Sequence, residues 1–109
     1  MHELGITQEI VDICCQRSAG ARITRIVLVI GKLSGVVPDA VRFCFEICAE
    51  DTVAAEAELE ILEPHGTGHC RECGDLVKLL SPLGICACGS TNLEWISGEE
   101  LCIKEMEVI

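Results

Sequence analysis

Arg22-Ile23-Thr24-Arg25-Ile26-Val27-Leu28-Val29-Ile30 is the stretch around which the rest of the chain arranges itself. Its β-branched run favours extended backbone, where branched side chains pack on a pleated surface without the crowding that a helix imposes. From Ile26 to Ile30 both alternating faces are apolar, which predicts a central strand covered on both sides. Upstream, Ile6, Ile10, Ile13 and Cys14 recur at helical spacing across residues 3–18, and Val11 widens the stripe. Gln8, Glu9, Asp12, Gln16 and Arg17 take the wet side, and Gly20 is a suitable stop. Glu3 sits where a carboxylate complements the positive end of the helix dipole.

Downstream, Gly31-Lys32-Leu33-Ser34-Gly35 lacks the spacing of a phosphate-binding loop, so no nucleotide site is indicated. Pro38 suits the first turn of a second helix, residues 38–50, because its missing N–H costs nothing there. Val41, Cys44, Phe45 and Cys48 make one apolar stripe and Phe43 with Ile47 a second, which predicts packing on more than one side. Residues 56–62 alternate, with Glu56, Glu58 and Glu60 on one face and Ala57, Leu59 and Ile61 on the other. This is a strand with one solvated face, ended by Pro64. Residues 99–109 read as a last strand. Its alternation shifts phase between Ile103 and Met106, and a bulge near Lys104-Glu105 reconciles the two halves.

The segment 65–96 differs from its surroundings: Gly, Pro and Cys cluster and the apolar period is lost. Cys70-Arg71-Glu72-Cys73-Gly74 is one half of a zinc knuckle, since two thiolates three apart on a tight turn can grip one tetrahedral ion. Cys86-Ala87-Cys88-Gly89 has one intervening residue where two are usual. A four-thiolate structural zinc is the reading, with His69 and Cys102 as alternative fourth ligands. Four protein thiolates leave no open position for a catalytic water. His65 and His69 flank the site, either as polar loop residues or as proton-sensitive neighbours of the metal. Cys14, Cys15, Cys44 and Cys48 read as small buried hydrophobes.

Composition narrows the classes. The chain has 109 residues, of which half are hydrophobic, and its aromatic residues are Phe43, Phe45 and Trp95, so the core is aliphatic with cysteine. A net charge of −10 argues against nucleic acid, whose affinity rests on Lys and Arg, and against an anionic membrane surface. No apolar run reaches the ~20 residues that span a bilayer. Residues 1–15 lack the features of a secretory signal, and nine cysteines without one suit a reducing, cytoplasmic location. The zinc-deaminase pattern is absent: His2-Glu3 does not supply its His-x-Glu, and no Pro-Cys-x-x-Cys follows.

At the other end of the chain, Met1-His2-Glu3 offers a chelate. The α-amine, the backbone nitrogen of His2 and its imidazole Nδ1 can turn toward one cation, and a further donor lies at Glu3. Such nitrogen-rich, planar ligation suits Ni(II) or Cu(II) better than Zn(II).

Met-His-Glu-Leu at 1–4, Ile-Gly-Lys-Leu-Ser-Gly-Val at 30–36 and Pro-Asp-Ala-Val-Arg-Phe-Cys-Phe-Glu at 38–46 occur in order. Cys-x-x-Cys-Gly at 70–74, Cys-Gly-Ser at 88–90 and Gly-Glu-Glu-Leu-Cys-Ile-Lys-Glu-Met-Glu-Val at 98–108 follow. Across its whole length the chain resembles the HypA/HybF family of nickel metallochaperones for nickel–iron hydrogenase maturation. That resemblance implies a non-enzymatic α+β protein, a small three-stranded sheet with two helices and an inserted zinc-ribbon-like domain. Residues 1–64 and 97–109 would form the nickel-binding α/β domain and residues 65–96 the zinc-binding domain. It implies a transported Ni(II) at Met1, His2 and Glu3, and a structural Zn(II) at Cys70, Cys73, Cys86 and Cys88. The implied partners are a HypB-like maturation GTPase, the hydrogenase large subunit and, in some organisms, urease maturation factors. Two departures stand out: Gly5 replaces the family's more usual Ser, and Cys86-x-Cys88 is one residue short.

Overall fold

The computed structural model describes residues 2–81 and 83–109. Its elements run α1 (Glu3–Ser18), β1 (Ile23–Ile30), α2 (Pro38–Cys48), β2 (Glu58–Leu62), β3 (Gly66–Cys70), β4 (Leu76–Leu79), β5 (Leu93–Ser97) and β6 (Leu101–Val108). The architecture is α+β, with two three-stranded sheets ordered β2-β1-β6 and β4-β3-β5.

The central position expected for β1 is observed. It pairs in parallel with β2, Ile26 opposite Leu59 and Leu28 opposite Ile61, and antiparallel with β6. Both helices contribute to one core: Ile10, Val11 and Cys14 of α1 and Val41, Phe45 and Cys48 of α2 join Ile26, Leu28 and Ile30. Cover on both faces of β1 is not observed. Its other face carries Arg25, paired with Glu60, Glu105 and Glu107, and Val27 is buried there at 1% exposure without a second layer among the described residues. The glutamate row of β2 is therefore a solvated face with one cation at its centre. The bulge expected near Lys104 is present: Val27 faces Glu105 while Leu28 faces Ile103, so Lys104 is the extra residue. The shift lets Ile103 and Met106 both lean on the core.

Several bounds move inward. The second helix ends at Cys48, where the Ala49 N–H closes onto the Phe45 carbonyl, and β2 begins at Glu58, leaving Glu56 outside it, paired with Arg22. The left-handed residue that ends α1 is Ala19 (φ 51°), one residue before Gly20. Ile13, expected in the apolar stripe, is exposed, and Thr7 is buried in the core-facing row, its hydroxyl donating to the Glu3 carbonyl at 2.7 Å. The second stripe of α2 is likewise unpacked: Phe43 and Ile47 are 67% and 53% exposed. Both helices lie on one face of one sheet, so each has a single covered side.

Between β2 and β6 the chain leaves the first sheet to build the second, and the loop after β1 ties the exit to the return. The Lys32 N–H donates to the Pro64 carbonyl at 3.0 Å, Leu33 to Gly98 at 2.7 Å and Gly31 to Glu100 at 2.7 Å. These backbones touch. A methyl on Gly31 would overlap the Gly98 carbonyl, and one on Gly98, itself at φ +110°, would lie 2.6 Å from the Gly66 Cα. Glycine is required here for approach as much as for torsion. The molecule is long for its size, 53 × 24 × 17 Å.

Candidate functional site

The second sheet is a small scaffold with few apolar residues inside it. Among its side chains Leu79, Cys70 and Cys86 are buried, whereas Leu76, Leu80, Leu83, Ile85 and Ile96 are exposed. So few buried groups cannot offset the entropy of ordering some thirty residues, and such modules need a staple.

The staple is built by two turns. Cys70 ends β3, and the chain reverses so that the Gly74 N–H reaches the Cys70 carbonyl (2.9 Å) with Gly74 at φ +80°. The second turn is tighter by one residue: the Gly89 N–H reaches the Cys86 carbonyl (2.8 Å) with Gly89 at φ +90°. In each case a left-handed glycine follows the second cysteine, so the missing residue between Cys86 and Cys88 is absorbed by a three-residue closure. The four Sγ atoms converge, all within 4.8 Å of one another. Cys70 and Cys88 are 3.7 Å apart and Cys73 and Cys86 3.5 Å. Zinc–sulfur bonds of ~2.3 Å at tetrahedral angles require sulfur separations of about 3.8 Å, so the donor set fits a four-thiolate zinc site. One thiol of each pair is internal (Cys70, Cys86) and one faces water (Cys73, Cys88).

The four thiols perturb one another's titration. Backbone N–H groups of Cys73 and Glu72 aim at the Cys70 sulfur and draw its pKa down to about 6. At Cys73 the Asp75 N–H pulls the same way, but hydrogen bonding with Cys86 and Cys70 outweighs it and pushes that thiol up to about 12. A bound divalent cation overrides such mutual suppression, since a coordinating thiol is deprotonated outright. The alternative ligands are not recruited. His69 turns toward Glu94, Nδ1 to Oε2 4.0 Å, and Cys102 lies on β6 opposite Val29 in the other sheet. Cys14 and Cys48 are buried in the core as small hydrophobes, their thiol pKa values pushed up by desolvation.

The amino end is organised differently. Met1 lies outside the described residues. His2 is exposed and precedes α1 without capping it through its side chain; its carbonyl accepts the first helical bond, from the Ile6 N–H at 3.1 Å. A helix that begins this way leaves the N–H groups of His2 and Glu3 with no intrahelical acceptor. Glu3 has a second attachment that its sequence position does not disclose: Oε2 accepts the Val37 N–H at 3.2 Å, bridging to the residue before α2. This bond holds the Glu3 carboxyl below its ordinary range, helped by the Glu3 backbone N–H. The described residues thus put the nitrogens of His2 and Glu3 side by side on a rigid helix start, and they direct one carboxylate oxygen of Glu3 to the protein itself.

Comparison with known proteins places the whole chain in one family. The family model described as "Hydrogenase/urease nickel incorporation, metallochaperone, hypA" matches residues 1–108. A hydrogenase maturation factor HypA of Nostoc punctiforme is 56% identical over 108 residues, covering 99% of this chain and 96% of that one. The corresponding factor of Geotalea uraniireducens is 48% identical over 109 residues, covering 99% of each. Among solved structures, the Ni metallochaperone HypA from Helicobacter pylori superposes with a TM-score of 0.69 at 25% identity, covering 100% of this chain and 98% of that one. The chain belongs to the HypA family of nickel-incorporating metallochaperones that act in hydrogenase maturation.

Proposed function

We propose that this chain carries Ni(II) on the nitrogens of its amino end, through Met1, His2 and Glu3, and delivers it for nickel–iron hydrogenase maturation. Zn(II) held by Cys70, Cys73, Cys86 and Cys88 keeps the second sheet folded. The observation that supports the nickel reading best is the helix start at Glu3. It leaves the backbone nitrogens of His2 and Glu3 without helical acceptors beside an exposed imidazole. Planar nitrogen donors suit Ni(II), and thiolates suit Zn(II), so the two metals are sorted by ligand type. Residues 1–64 with 97–109 act as the nickel domain and residues 65–96 as the zinc domain.

The protein's role is transfer and it turns nothing over. A cation held at the tip of a helix is open on its outer side, so incoming ligands of an acceptor displace these one by one. Ligand nitrogens must shed protons to bind, so nickel is held less firmly in acid. The acceptors are a maturation GTPase of the HypB kind and the hydrogenase large subunit, with urease maturation factors as further clients, all in the cytoplasm. The test is a nickel titration of untagged wild type beside His2→Ala, with zinc measured on both. One nickel per chain in wild type and a loss of at least 100-fold in affinity in the variant, at equal zinc, is expected; equal nickel affinity would overturn the reading.

A further inference from the structure

Phe43 is one of three aromatic residues in the chain, and α2 presents it to solvent. Ile47, one turn on, lies beside it, and Ala40 completes the ridge, since residues three and four apart share a helical face. Asp39 and Glu46, both exposed, fall on one flank of this ridge, and exposed Glu50 follows just past the end of the helix. Arg42, the cation of this helix, is engaged elsewhere and donates to the Leu59 carbonyl at 2.8 Å. The opposite side of the helix, Val41, Phe45 and Cys48, fills the core, so the ridge is held rigidly in place. An exposed aromatic on an ordered helix, bordered by one sign of charge, has the make-up of an interface anchor.

We infer that this α2 face is a docking surface for a partner protein whose apolar socket is edged by Lys and Arg. The acidic flank selects the occupant. A second copy docked with its α2 antiparallel about a two-fold axis would set the acidic flank against its own counterpart, in a chain already at −10. A lipid surface with anionic headgroups is repelled for the same reason. A socket with a basic edge gains both burial of Phe43 and charge complementarity. Its place in the molecule gives the surface a use. Val37, the residue bonded to Glu3, lies only about 9 Å along the helix axis from Phe43. A partner seated on α2 is therefore brought up to the amino end. Docking stands without the nickel site; only its purpose in transfer rests on that reading.

The experiment measures binding of the nickel-free, zinc-loaded protein to two purified probes, the maturation GTPase and the hydrogenase large-subunit precursor, at low and at high salt. Phe43→Ala and Ile47→Ser are each expected to weaken binding to at least one probe by 10-fold or more. Glu46→Lys combined with Glu50→Lys is expected to weaken it and flatten its salt dependence. Nickel titrations of the same variants should match wild type, which separates this surface from the metal site. Wild-type binding by all variants, or no binding of either probe to wild type, would overturn the proposal. So would a wild-type dimer that Phe43→Ala disperses, or capture on phosphatidylglycerol vesicles that Phe43→Ala abolishes.

Discussion

Glu3 joins two helix starts with one side chain. Its position in the first turn of α1 is visible in the sequence, but the Val37 N–H it accepts lies 34 residues away and follows from packing alone. Because that bond favours the ionised form, the carboxyl's pKa is depressed on folding. Its contribution is therefore present above the ordinary value of 4.5 and is lost only as pH falls through the lowered one. In the zinc-loaded, nickel-free protein the Val37 amide resonance should titrate with a midpoint below 4.5; a midpoint at or above it would show that the bond does not form in solution. Burial supplies a second contrast between two isoleucines. Ile26 is fully buried and Ile26→Ala should cost about 3 kcal/mol by urea unfolding. Ile13, which periodicity places in the same stripe as the core residues, should cost under about 1 kcal/mol because it is exposed.

Elements were legible where a local rule determines them. The β-branched run gave β1 its central place, the broken alternation of residues 99–109 located the bulge at Lys104, and Cys pairs followed by Gly marked both knuckles. Periodicity could not say which apolar stripe of α2 would be covered. That depends on how many layers the fold has, and both stripes satisfy the helical period equally. Nor could the strands β3, β4 and β5 be read from a segment without alternation, because their register is imposed by the turns that gather the thiols. The loop Gly31–Gly35 was legible only as something it is not. In three dimensions it clasps the two crossings between the sheets, through bonds from Gly31, Lys32 and Leu33. Gly31→Ala forces a methyl against the Gly98 carbonyl and should destabilise the protein by about 3 kcal/mol at unchanged zinc content. Gly5→Ala, where an added methyl meets nothing, should be neutral or mildly stabilising.

Charge divides unevenly across the whole molecule. Residues 65–96 carry Arg71 and Lys78 against Glu72, Asp75 and Glu94, a net of −1, so −9 of the total −10 lies on the rest of the chain. The proposed nickel site and the proposed basic-edged partner both belong to that acidic half, while the proposed zinc belongs to the second sheet. Chelating the proposed zinc, whose binding contributes ~10–16 kcal/mol in zinc-finger peptides, should erase amide-exchange protection in β3, β4 and β5 and leave β1 and α1 protected. Loss of protection in both halves together would mean that the clasp makes them one cooperative unit. The central claim concerns the other end, where a free amine joins the nitrogens of His2 and Glu3 around one planar ion. It is tested most directly by nickel titration, followed by visible and X-ray absorption spectra, of the native-start protein beside a version bearing two extra residues before Met1, at matched zinc content. The account predicts one planar, nitrogen-ligated Ni(II) in the first and at least a 100-fold weaker site in the second; equal affinity with the same spectrum would contradict it.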